Sequence, residues 1–243
     1  MSALTQLLAP LPLDRFMEAR RPGRWCVIGG PIERLPAWLR APALNDLVAL
    51  GLSFRGTGYV NRSVHCHPTE VHYGSDDAKP EVLHAMGMTQ TFPNVQRFVP
   101  ECDAGLAELC GAMGVSRGMF EAHLFVSPRG EGLRWHFDPC DTFVIQLRGS
   151  KRWSVAANHH VLRPVGTPVA PGMRPSWQHL AQMPDALPAS DPTEVEHFEL
   201  TAGSVLFLPR GLWHRTDASD EWIRHPTPLV AKTVAPPPDR CRA

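Results

Sequence analysis

From Met119 onward the chain is a succession of short apolar runs, each cut off by glycine or proline. "MFEAHLFVSP" reads as a strand ending at Pro128, and "RGEGLRWHFD" as a turn into a second strand. "TFVIQLRG" closes at Gly149, and "KRWSVAA" follows it. "EHFELTAG" and "SVLFLPRG" form a strand, a turn and a strand, and "LWHRTDAS" and "PLVAKTVA" come last. Short strands separated by turn residues predict a small antiparallel barrel or sandwich. The 25 prolines, clustered in 163–192 and 226–238, are too many for a mostly helical chain.

The first half is written differently. Residues 1–24 predict one or two helices around "TQLLAPLPLDRFMEARR", followed by a strand at Trp25–Ile28. "RLPAWLRAPALNDLVAL", roughly 34–50, reads as helical with a proline break, and 51–75 as polar and turn-rich. An extended segment is expected from Thr89. In "DAGLAELCGAMG", Leu106, Leu109, Cys110 and Met113 recur at helical spacing and Gly114 supplies a stop. Residues 1–115 are therefore read as a helical and mixed segment packing on a barrel formed by 116–243, the two making one structural unit.

Composition removes several function classes. Lys+Arg and Asp+Glu each total 24, so the formal charge is zero and no nucleic-acid partner is expected. No apolar run is long enough to span a membrane, and no membrane partner is expected. "MSALTQLLAPLPLDRF" lacks the basic start and unbroken apolar stretch of a signal peptide. Cys26, Cys66, Cys102, Cys110, Cys140 and Cys241 are scattered, with no CxxC pair. They read as free thiols in a reducing cytoplasm.

"LRWHFDPCDTFVIQLRGSKRW" carries the chemistry. In a strand, residues i and i+2 share a face, so His136 and Asp138 deliver an imidazole and a carboxylate into one space. Asp141 shares that face only if the strand has ended, and Pro139 makes an ending or a bulge plausible. A His-x-Asp pair is commonly a surface pair. The later strand-turn-His unit in "GSVLFLPRGLWHRT" offers His214 as a third ligand and lifts the pair to a metal site. Two His and one Asp, with the other positions open, is the facial triad of non-haem Fe(II) oxygenases.

"HFDPCDTFVIQLRGSKRW" together with "ELTAGSVLFLPRGLWH" resembles the JmjC-type cupin oxygenases, nearest the ribosomal-oxygenase-like branch. "GMTQTFPNVQRF" extends the likeness weakly upstream, and the whole covers roughly residues 85–235. The resemblance implies a mostly β fold, a double-stranded β-helix (cupin/jelly-roll) barrel with flanking N-terminal helices. It implies Fe(II) held by His136, Asp138 and His214. It also implies 2-oxoglutarate anchored by Lys151, thirteen residues after Asp138 and favoured over Arg152, and O2 as co-reactant. A carboxylate buried in a barrel needs a paired charge, which gives such a cation its physical reason.

Two departures qualify the likeness. Family members often place an Asn and a Tyr on the strand before His-x-Asp. Here the matching positions are Ala122 and Leu124, or His123 and Phe125 in the other register, and neither reproduces the pattern. Long members also continue past the barrel with a helical dimerisation region and a winged-helix-like domain. Their dimer mode and ribosomal-protein substrates are not part of the expectation, and no oligomeric state is assigned.

The expected activity is a 2-oxoglutarate-dependent dioxygenase that hydroxylates an amino-acid side chain of a protein or peptide. The alternatives are a tailoring hydroxylase for a small natural product and a catalytically silent metal- or ligand-binding cupin module. A cupin dioxygenase or isomerase without a keto acid would want three or four His, which Asp138 disfavours. His65, Cys66, His67 and His72 in "NRSVHCHPTEVHY" form no complete ligand set and read as structural or substrate-contacting. The Pro-rich 158–192 stretch, with Arg163, Arg174 and Trp177, reads as a lid or substrate loop, or else an insertion. Trp135, Trp153 and Trp213 read as core residues. Arg210 is a weaker candidate for charge near the metal.

Overall fold

The computed structural model describes residues 2–19, 23–61, 71–74, 79–128, 130–161, 164, 190–218 and 229–233. Helices α1 (Ala3–Leu8) and α2 (Leu13–Ala19) lead into strand β1 (Cys26–Ile28). Short helices α3 (Pro42–Asn45) and α4 (Leu47–Ser53) follow, then strands β2 (Thr57–Asn61) and β3 (Val71–Gly74). Helix α5 (Pro80–Ala85), strand β4 (Thr89–Phe92) and helix α6 (Pro100–Met113) complete the first half. The second half is β5 (Phe120–Val126), β6 (Gly132–His136), β7 (Thr142–Ile145), β8 (Ser150–Ala156), β9 (Val195–Thr201), β10 (Val205–Leu208), β11 (Trp213–Ala218) and β12 (Leu229–Thr233).

The strands form two antiparallel sheets. One has eight strands in the order β1-β10-β7-β12-β5-β4-β2-β3, and the other has four in the order β6-β11-β8-β9. Consecutive strands of the second half alternate between the two sheets, except that β8 and β9 pair with each other in the four-stranded one. The fold is thus the mostly antiparallel cupin-type barrel that the resemblance implied. Strands β1 to β4, from residues before 116, extend the larger sheet on both sides. Two of them, β2 and β3, fall in the stretch 51–75 that reads as polar and turn-rich. They carry little apolar alternation, so pairing of β2 with β4, and of β3 with β2, rather than local pattern makes them strands.

Alternation along β5 shows how the core divides. Phe120, Ala122, Leu124 and Val126 are buried on the helix side, in one cluster with Phe16 of α2 and Leu106 and Leu109 of α6. Phe16 fixes the contact, with ring centroids 5.7 Å from Phe143 and 5.1 Å from Phe207. Phe125, on the opposite face of β5, packs against a second cluster of Val144, Trp153, Val155, Leu200, Leu206, Leu208 and Leu212 between the sheets. Each fully buried side chain of this size contributes on the order of 1.5–3 kcal/mol.

Two glycines are required by geometry. Gly114 ends α6 with φ 66°, satisfying the last carbonyls, as its position after the apolar stripe predicts. A Cβ on Gly132 would lie 1.7 Å from the Thr216 carbonyl oxygen, so only glycine lets β6 approach β11. Arg34 joins the halves: its guanidinium donates to the carbonyls of Leu7, Ala9, Ile28 and Gly203. Among the described residues no helix is long and apolar enough to cross a membrane. Cys26, Cys102, Cys110 and Cys140 are free thiols, while Cys66 and Cys241 lie outside the described residues.

Candidate metal and cosubstrate site

β6 and β11 are antiparallel neighbours, and the register sets His136 directly opposite His214. Their ring centroids are 4.1 Å apart. β6 ends at His136, so the Asp138 carboxylate arrives from the first turn beyond the strand, with Pro139 just after it. His214 Nε2 lies 4.0 Å from Asp138 Oδ2. One ligand atom from each of His136, Asp138 and His214 can be chosen so that all lie within 4.8 Å of one another. It is the one His/Cys/Asp/Glu group of this kind among the described residues.

The histidine tautomers follow from their partners. His136 Nδ1 is 2.6 Å from the Arg134 carbonyl and His214 Nδ1 is 2.9 Å from the Leu212 carbonyl. A carbonyl only accepts, so each Nδ1 carries the proton and donates. Each Nε2 then keeps its lone pair, the form a metal needs. Two neutral imidazole nitrogens and one carboxylate fit Fe(II) chemically, and three protein ligands leave coordination positions for other molecules.

The turn bearing His214 is pinned from three sides. Gly211 N–H donates to the Asp138 carbonyl at 2.9 Å, and Arg210 N–H donates to Asp141 Oδ1 at 3.0 Å. Asn158 Nδ2 donates to the Gly211 carbonyl at 2.9 Å, while its Oδ1 accepts from the backbone of His160 and Val161. Asp141 therefore anchors the backbone of this turn and is not one of the clustered ligand residues. Arg210 Nε donates to the Pro164 carbonyl. Sequence reasoning missed Asn158, since an asparagine at a strand end is an ordinary turn residue until its partners are known.

Lys151 is on β8, whose register opposes Val155 to His214, Trp153 to Thr216 and Lys151 to Ala218. Lys151 thus shares a face with His214 but lies two inward positions deeper. Trp153 lies between them and stacks on His214 with centroids 5.9 Å apart at 24°. Lys151 is 2% exposed, and its Nζ donates to Ser127 Oγ at 2.8 Å. Burial pushes its pKa down from 10.5 to about 8, partly offset by Asp217. Arg152, by contrast, points out and is exposed.

The two registers left open for β5 are distinguished by burial. Ala122 and Leu124 face the helices, while Phe125 faces the barrel interior. His123 shares Phe125's face, opposite Val230 and, beyond it, Val144, and its Nε2 is 3.4 Å from Glu121 Oε2. Trp135 and Trp213 pack with Phe137 in a separate cluster outside the barrel interior. His65, Cys66 and His67 lie outside the described residues, as do Arg163, Arg174 and Trp177, and of His72 only the backbone, in β3, is described.

Residues 94–235 match the JmjC domain family. The chain belongs to that family. It is 24% identical over 230 residues to the uncharacterized protein YxbC of Bacillus subtilis (strain 168), covering 88% of this chain and 67% of that one. It is 28% identical over 180 residues to ribosomal oxygenase 1 of Danio rerio, covering 71% of this chain and 29% of that one. The solved structure of YcfD, a ribosomal oxygenase from Escherichia coli, in complex with cobalt and 2-oxoglutarate, superimposes with a TM-score of 0.58 at 18% identity. That match covers 95% of this chain and 53% of the other, so the JmjC chain described here spans about half the length of YcfD.

Proposed function

We propose that this protein is an Fe(II)- and 2-oxoglutarate-dependent oxygenase that hydroxylates an amino-acid side chain of a protein or peptide in the cytoplasm. The observation that carries the reading is the placement of a buried cation, Lys151, on the barrel face that holds His214, below the convergence of His136, Asp138 and His214. A metal site alone has no use for a buried ammonium. A metal chelating a dicarboxylic keto acid does. The YcfD structure, which holds cobalt and 2-oxoglutarate, supports the pairing of ligands, and the names of the ribosomal oxygenases support a protein substrate.

His136, Asp138 and His214 would hold the iron. When bound, Fe(II) supplies the oxygen chemistry that couples oxidation of 2-oxoglutarate to succinate and CO2 with hydroxylation of the substrate. Lys151 pairs with the far carboxylate, and its lowered pKa recovers as that charge arrives. Trp153 and the apolar residues Val155, Leu206 and Leu208 keep water from the space between. The chain's part is thus binding, orientation and exclusion.

The test is succinate formation from 2-oxoglutarate by protein loaded with iron without air and then exposed to it, beside Lys151→Ala and His214→Ala. Iron-dependent succinate lost in both variants is the expected result. Absence of both succinate and 2-oxoglutarate binding in the wild type would instead favour a silent metal- or ligand-binding module.

A further inference from the structure

Strand β6 does not run regularly into His136. Its pairing with β11 sets His136 opposite His214 and Leu133 opposite Thr216, so Arg134 and Trp135 together oppose the single residue Arg215. Two residues facing one is a β-bulge. Its effect on facing is large. Side chains of a regular strand alternate, and directly paired residues point to the same side of the sheet. Leu133 shares the inward face of Thr216, so an unbroken β6 would carry Trp135 inward and His136 outward, away from His214. The bulge reverses both. Trp135 packs in the outer cluster with Phe137, Ala156 and Trp213, and His136 meets Asp138 and His214.

A bulge interrupts the ladder and has to be held. Leu133 N–H donates to Thr216 Oγ1 at 3.0 Å, and the Arg134 carbonyl accepts from His136 Nδ1 at 2.6 Å. On the outer face, the Arg215 guanidinium carbon lies 5.4 Å from the centroid of the Trp135 ring. A cation over an indole is attracted by the ring's negative face, so Arg215 draws Trp135 to the outside. Arg215 is itself fixed by other elements. Its Nε donates to Ser154 Oγ of β8 at 3.4 Å, and its Nη1 is 4.0 Å from Asp191 ahead of β9.

We propose that Arg215 and Trp135 latch this bulge and are positioning residues for the metal ligand His136. This rests on the metal site of the oxygenase reading above. Neither residue is one of the three clustered ligand residues, and both act through the facing of β6. Without the latch, β6 slides toward regular pairing and the His136 imidazole turns away from the ion. Strand β11 thus supplies one metal ligand, His214, and in the next residue the contact that aims another.

The experiment is absorption titration of Co(II) into wild type, Arg215→Met, Arg215→Lys and Asp191→Asn. Methionine keeps length and removes the cation, lysine keeps a cation over the ring, and Asp191→Asn removes only the ion pair. The expected result is a Co(II) Kd raised about tenfold or more in Arg215→Met, with altered visible bands at saturating metal because an imidazole ligand is misplaced. Arg215→Lys should recover affinity to within about threefold and restore the bands, and Asp191→Asn should behave as wild type. A Kd for Arg215→Met within about twofold of wild type would overturn the proposal. So would weaker binding with unchanged bands, which marks general loosening, a lysine variant as weak as methionine, or an equal loss in Asp191→Asn. No Co(II) binding by the wild type would overturn the metal-site reading itself, and this inference with it.

Discussion

Replacing Lys151 by methionine should make the protein more stable and unable to bind its cosubstrate. The Lys151 ammonium is buried with a serine hydroxyl as its hydrogen-bond partner. Burial lowers its pKa from 10.5 to about 8, which corresponds to about 3 kcal/mol disfavouring the charged form in the folded state. The sign follows from proton linkage. Below pH 8 both states hold the proton and the folded state bears the whole cost. Between pH 8 and 10.5 the unfolded chain stays protonated while the folded one does not, so stability rises with pH. Methionine fills a similar volume without the charge, so Lys151→Met should gain roughly 1–3 kcal/mol at pH 7, less the lost Ser127 bond. In a domain of this size that is a rise in Tm of about 2–10 °C.

The assay is urea unfolding of both proteins at pH 7.0 and 9.5, with the difference between them followed across the window. Other titrating groups, including the Cys102 thiol that burial pushes up to about 12, are common to both and cancel. The variant's advantage should shrink as pH rises. A variant less stable than wild type at pH 7, or an advantage that does not change with pH, would refute the argument. Added 2-oxoglutarate should then stabilise the metal-loaded wild type alone.

Asn158→Ala should weaken Co(II) binding by about tenfold, read by absorption titration, because it frees the turn that aims His214. Arg34→Ala should lower stability by about 2–4 kcal/mol in urea melts while leaving Co(II) affinity within twofold, since it removes four bonds to carbonyls remote from the metal ligands.

The sequence made the proposed metal ligands legible because strand spacing is a geometric statement. His136 and Asp138 are two apart, and His214 follows an apolar strand and a Pro-Arg-Gly turn. The strand itself proved two residues shorter than the spacing argument assumes, with the carboxylate delivered by the turn. Strands β5 to β12 were readable for the same reason, through apolar runs bounded by turn residues. Strands β2 and β3 were not, because their stability comes from pairing and not from an apolar face. The facing of β5 was ambiguous because apolar residues occupy both its sides, Leu124 toward the helices and Phe125 toward the barrel. Ser127 was invisible as the partner of Lys151. Hydroxyl residues are common, and only the facing of the two sheets brings Ser127 to Lys151.

Strand β1 pairs Cys26 with Phe207, and Val27 with Leu206. About three-quarters of the chain lies between these partners and must be made before the sheet edge can close. Non-local pairing of this kind slows folding and leaves the growing edge of β10 exposed to other chains meanwhile. The proposed metal ligands inherit the same schedule. His214 reaches His136 only after strands β7 to β10, which lie between them in sequence, have been made, so the ion meets a nearly finished barrel. Such a protein should be recovered best when synthesis is slow and cool, and iron added after folding should serve as well as iron present during it.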